Sequence, residues 1–188
     1  MKKIISLFQR NYNTDRLVRN EVVPGAEWVL AGEGTPTRKY DGVCTMIRGG
    51  RLYKRYEVKR GKKPPADWEP ADDIDEVTGN QMGWVPVGQG NEDKYLREAF
   101  DNAEQGVDGT CEFLGPKSQG NVEGYFHHIL LPHRLADVLA TDPRDFESIK
   151  AYLEIADIEG IVWHHPDGRM VKIKAKDFGI KRRALAVK

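Results

Sequence analysis

The sequence predicts an α+β fold built on antiparallel strand pairs. Alternating apolar runs flank tight turns at Gly49-Gly50 and at Pro166-Asp167-Gly168, and such turns join antiparallel neighbours. Two longer segments, residues 93–103 and 143–157, show helical spacing instead.

The elements follow in order. Residues 3–8 read as a first strand and residues 11–20 as a polar connector. Glu27-Trp28-Val29-Leu30 fits a strand or a short helix, and Gly32-Glu33-Gly34-Thr35-Pro36 is a turn. The alternating run from Val43 pairs through Gly49-Gly50 with the aromatic-rich residues 51–58. From 59 to 91 the alternation is lost among Pro64, Pro65, Pro70 and Pro86, which predicts a long surface excursion. Tyr95, Leu96, Ala99 and Phe100 set the spacing of the first helix, and Gly106 stops it. Residues 107–116 form a strand with Glu112 embedded in its apolar part. Residues 124–132 read as another strand, with Phe126 and His128 on one face. The second helix is expected to start with Asp142 as N-cap and Pro143 at N1. Residues 158–165 and 169–174 form the last hairpin.

A chain of 188 residues suffices for one well-cored domain, or two small ones at most. The 39% apolar and 31% charged residues fit a soluble globular protein, and 29 acids balance 29 bases, so bulk charge does not announce a nucleic-acid binder. The distribution is more telling. Acids crowd residues 67–75, whereas residues 172–183 carry six basic residues and one acid, a pattern that suits a phosphate-facing surface. Cys44 and Cys111 lie in separate strands without zinc-like spacing, as expected for free thiols in a reducing cytosol. The apolar N-terminal stretch is too short for a secretory core, and no run approaches membrane-spanning length. The expectation is a soluble, cytoplasmic monomer.

The chemistry centres on Lys39-Tyr40-Asp41-Gly42, directly before a strand. A free lysine, with a pKa of about 10.4, is protonated and inert at neutral pH; cationic neighbours or desolvation can make it a nucleophile. Lys172 and Lys174, two apart on a strand, project from one face and suit an anion such as phosphate. They would also depress the pKa of a third lysine nearby. Glu112 and Glu159 sit in apolar strands, where a carboxylate needs partners such as a ribose hydroxyl or a hydrated metal. Taken singly, each of these features also fits a solvated strand face or a surface ion pair. The pairs His127-His128 and His164-His165 are no natural chelates, because successive strand residues face opposite ways.

The order of these segments resembles the covalent nucleotidyltransferase superfamily of polynucleotide ligases and RNA capping enzymes. Lys39-Tyr40-Asp41-Gly42 matches its Lys-x-Asp-Gly motif, and Lys54-Arg55 the arginine motif that follows. Cys111-Glu112-Phe113-Leu114-Gly115, Glu159-Gly160-Ile161-Val162 and Lys172-Ile173-Lys174 match the third, fourth and fifth motifs. The resemblance covers Lys39 to Lys174 and is closest to small RNA ligases. It implies an ATP-grasp-like adenylation domain over residues 1–188, with antiparallel sheets around a nucleotide pocket and no OB-fold. By the same resemblance Lys39 takes AMP from ATP, and Lys172 and Lys174 contact the α-phosphate. Arg38, Arg55 and Glu112 join the nucleotide-binding set. Val162 and one of Phe126 and His128 sandwich the adenine. Asp41 and Glu159 hold Mg2+ or Mn2+ through water. The implied activity is an ATP-dependent RNA ligase sealing 5′-phosphate to 3′-hydroxyl ends, with RNA preferred to DNA. A basic tail, residues 176–183, would grip phosphates. A minimal DNA nick ligase and a non-catalytic nucleic-acid-binding module are the alternatives.

Overall fold

The computed structural model describes residues 1–104 and 106–182. In chain order, β1 (Ile5–Ser6), β2 (Phe8–Arg10) and β3 (Val18–Val22) precede the one-turn helix α1 (Glu27–Leu30) and β4 (Thr35–Lys39). Then come β5 (Val43–Arg48), β6 (Arg51–Val58), β7 (Glu69–Ile74), β8 (Gln81–Pro86) and helix α2 (Lys94–Asp101). β9 (Gly109–Leu114), β10 (Ile129–Pro132), α3 (Phe146–Ala156), β11 (Gly160–His164) and β12 (Met170–Lys174) follow. The chain therefore mixes helices with mostly antiparallel sheets. Among the described residues no helix is long and apolar enough to cross a membrane.

These elements fall into two compact units. Met1–Lys3 and Asp41–Leu135 make one, and Ile4–Tyr40 with the chain from Ala136 onward makes the other. The first unit carries a six-stranded antiparallel sheet in the order β10-β9-β5-β6-β8-β7. Period-two alternation buries Thr45 and Ile47 of β5. Leu52, Cys111, Phe113 and Leu130 join Leu96 and Ala99 of α2 in its core. The expected β5–β6 hairpin is present, with Arg48 paired to Arg51 across Gly49-Gly50.

The second unit carries a four-stranded sheet in the order β1-β12-β11-β4, antiparallel except where β1 runs alongside β12. Ile161, Trp163, Val171 and Ile173 are fully buried and pack with Phe8, Val29, Ile149 and Leu153. A second, two-stranded sheet pairs β2 with β3, so the polar connector expected over residues 11–20 gives way to a strand from Val18.

Three other expectations need revision. Residues 59–91, read as an excursion, contain β7 and β8. β7 is the outermost strand, which tolerates Pro70 and its polar neighbours. Helix α3 begins three residues later than expected. Asp145 is its N-cap and accepts the Ser148 N–H at 3.0 Å, while Asp142 is taken by Arg144 and by Trp163 Nε1. The strand expected from residue 124 starts only at Ile129. Before it, the Asn121 side chain bonds both the N–H and the carbonyl of Tyr125 and holds a turn, so Phe126 and His128 do not share a strand face.

Candidate active site

The four-stranded sheet gathers three lysines on one face. β11 is flanked by β4 and β12, and Gly160 is in register with Lys39 on one side and Lys174 on the other. Val162 is likewise flanked by Thr37 and Lys172. Cross-strand partners share a face, so Lys39, Lys172, Lys174 and Val162 face one way. Ile161, Ile173, Trp163 and Val171 face the core. The strands close tightly because position 160 is glycine: a Cβ there would lie 2.0 Å from the Ile173 carbonyl oxygen.

Glu159, immediately before β11, is the carboxylate of this face. Its Oε2 accepts a hydrogen bond from Lys39 Nζ and its Oε1 one from Lys174 Nζ. The side chain is only 10% exposed, and those of Lys39 and Lys174 are 18% and 20% exposed. Burial opposes ionisation of Glu159, but Lys39 and Lys174 together outweigh it and hold the carboxyl below its usual range. Lys172 shares the face but bonds no carboxylate among the described residues. Burial first, then the charges of Lys174 and Lys39, push its pKa down to about 8 against the pull of Glu159 and Asp177. Sequence reasoning expected a depressed pKa at Lys39; the structure pairs Lys39 with the Glu159 carboxylate and shows a depressed pKa at Lys172 on the same face.

Arg38 points to the opposite face of β4, with its guanidinium 4.7 Å from the Tyr40 ring centre. It is not brought to the lysine face.

The other named residues belong to the six-stranded unit. Glu112, in β9, is buried. Its Oε1 accepts the Gly42 N–H at 3.0 Å, and its Oε2 lies 2.9 Å from His133 Nε2. Gly42 is pressed against β9: a Cβ would fall 2.3 Å from the Phe113 carbonyl oxygen. Asp41 is held through its backbone, whose N–H donates to Glu123 at 3.0 Å. Arg55 stacks over Trp84 at 4.9 Å and donates to the Met1 carbonyl at 2.6 Å. His128 is buried, stacked on Phe113 at 5.7 Å, beside Tyr95, and within 2.9 Å of Glu98. Phe126, by contrast, is 90% exposed.

Asp177, Arg10 and His133 escaped the sequence reading. Asp177 is buried and takes an ion pair from Arg10, on β2. The one hint was an acid alone in a basic stretch. His133 bridges Glu112 and Thr110, at 2.9 Å from each. Nothing in the sequence marks it, because the bridge joins β9 to a turn about twenty residues on. Of the basic tail, Lys176 and Lys181 are exposed and Arg182 donates to the Asp157 carbonyl; Arg183 lies outside the described residues.

Ammonium groups arrayed around one carboxylate on a strand face have the charge and donors that suit an anion such as a phosphate. The chain is similar to RNA ligase 1 of Pongo abelii, 24% identical over 66% of this chain and 51% of that protein. It is also similar to RNA ligase 1 of Danio rerio (25% identical, 55% of this chain and 42% of that protein) and of Mus musculus (24%, 63% and 49%). The chain spans about half the length of these curated relatives. No family model matches it. The similarity supports a relation to the RNA ligases.

Proposed function

We propose that this chain is the adenylyl-transferring part of an ATP-dependent RNA ligase, with Lys39 as its nucleophile, on a nucleotidyltransferase-type fold. The observation that carries the reading is the grouping of Lys39, Lys172 and Lys174 around Glu159. The similarity to RNA ligase 1 proteins supports it independently.

The reaction runs in three displacements. Lys39 Nζ, once it has lost a proton, attacks the α-phosphorus of ATP. A nitrogen–phosphorus bond forms and the bond to the pyrophosphate oxygen breaks. Lys172 and Lys174 lower the cost of proton loss through their charge and stabilise the negative oxygens in the transition state. A 5′-phosphate oxygen of RNA then displaces Lys39 from the AMP phosphorus. Finally a 3′-hydroxyl attacks the 5′-phosphorus and expels AMP. Glu112 and Arg55 remain the candidates for the ribose or the incoming phosphate, and Val162, Phe126 and His128 those for the base; of these, His128 is already enclosed by Phe113 and Tyr95. Glu159 and Asp41 are the candidate ligands for magnesium. Among the described residues no group of three or more His, Cys, Asp or Glu could hold a metal. Two carboxylates suit an ion that keeps most of its waters and leans on nucleotide phosphates. Bound there, magnesium would neutralise phosphate charge.

The test is incubation with α-labelled ATP and magnesium. Wild type should take up acid-labile label and Lys39→Ala none. Label on the variant, or none on wild type, overturns the mechanism. A chase with RNA or DNA ends then reads the substrate.

A further inference from the structure

Directly after Lys174 the chain leaves β12 through a tight turn, Ala175–Phe178, which Gly179 closes at φ 79°. Only 3% of Asp177 is exposed. Its Oδ2 accepts the backbone N–H of Lys174 at 3.0 Å, and its Oδ1 accepts from the Arg10 guanidinium. On the other side, the Ala175 N–H donates to the Glu159 carbonyl at 2.9 Å. The backbone of Lys174 is thus held by Asp177, while that of Ala175 is tied to the residue that receives the Lys174 ammonium. Desolvating an acid and a guanidinium is costly, and a buried ion pair adds little net stability over an apolar pair. What it adds is direction, since an aspartate held by Arg10 presents its second oxygen at one angle.

We propose that Asp177, held by Arg10, is a positioning residue for Lys174. It fixes the backbone from which that ammonium reaches Glu159 and, in the proposed reaction, the α-phosphate. The inference rests on the proposed function, so its test must fail separately.

The test is a double-mutant cycle of Asp177→Ala and Lys174→Ala, read as the single-turnover rate of self-adenylylation. ATP binding and the preference between the two diastereomers of α-thio-ATP are read alongside. Misplacing a catalytic group by about 1 Å costs on the order of 100-fold in rate. Asp177→Ala should therefore slow adenylylation roughly 10- to 100-fold, leave ATP affinity nearly unchanged and relax the diastereomer preference. The double variant should be no slower than Lys174→Ala alone, because the two residues act as one unit. Asp177→Asn, which keeps an acceptor for the Lys174 N–H, should recover most of the rate; Arg10→Met should show a milder loss. If Asp177→Ala does not fold, Arg10→Met replaces it in the cycle, where its loss should likewise vanish in the Lys174→Ala background. Losses that multiply in the double variant, or an Asp177 effect confined to ATP affinity with an unchanged diastereomer preference, overturn the positioning role while leaving the proposed function standing. Absence of label on wild type overturns both.

Discussion

Lys172 is the third ammonium around a single carboxylate, and its depressed pKa has a thermodynamic consequence. In the folded chain it titrates near 8, against 10.5 for an unperturbed lysine. Between those values the unfolded chain binds a proton that the folded chain has released, so stability rises as pH rises through this window. Below pH 8 both states are protonated and the full penalty applies, about 3 kcal/mol for a shift of this size. Lys172→Met should therefore raise the urea midpoint at pH 7 and flatten its rise between pH 8 and 10; an unchanged profile would mean that the lysine is well solvated. Lys39, Glu159, Lys172 and Lys174 were legible in the sequence because motif order and two-residue spacing mark them. Arg10 and Asp177 were not, because a pair 167 residues apart leaves no local pattern.

At the scale of elements, β11 decides whether the lysines meet. It pairs with both β4 and β12, and Gly160 lets the backbones approach at the row where Lys39 and Lys174 flank it on either side. Gly160→Ala would drive a methyl group into the Ile173 carbonyl, so the strands must part. The expected loss is at least about 1–3 kcal/mol, the usual range for overpacking, with self-adenylylation falling further than stability alone explains. Urea denaturation and labelling on the same sample measure both. The two tight hairpins could be read from the sequence, since alternation on each side of a glycine turn is a local signal. β7 and β8 could not. The outermost strand of a sheet is half solvated, and Glu69-Pro70-Ala71-Asp72-Asp73-Ile74 shows no apolar alternation to betray it.

For the whole molecule, the sequence foretold the mixture of helices and antiparallel strands but not its division into two units, since both share one apolar pattern and differ only in which distant residues they bury. The two apolar clusters are separate, one around Phe113 and Cys111, the other around Trp163 and Ile161. Native-state hydrogen exchange should accordingly find two islands of slow amides, in β5 and β9 and in β11 and β12, with β7 and residues 11–16 exchanging fast. A single slow core confined to one sheet would contradict that division. The division also orders events in time. Residues 41–135 of the six-stranded unit are contiguous, whereas the four-stranded unit is assembled from stretches on either side of them. Synthesis must run 120 residues beyond Lys39 before Glu159 exists, and further still for Lys172 and Lys174. On the ribosome Lys39 emerges early and Glu159, Lys172 and Lys174 late, so an unfinished chain carries the proposed nucleophile without the groups that surround it in the fold.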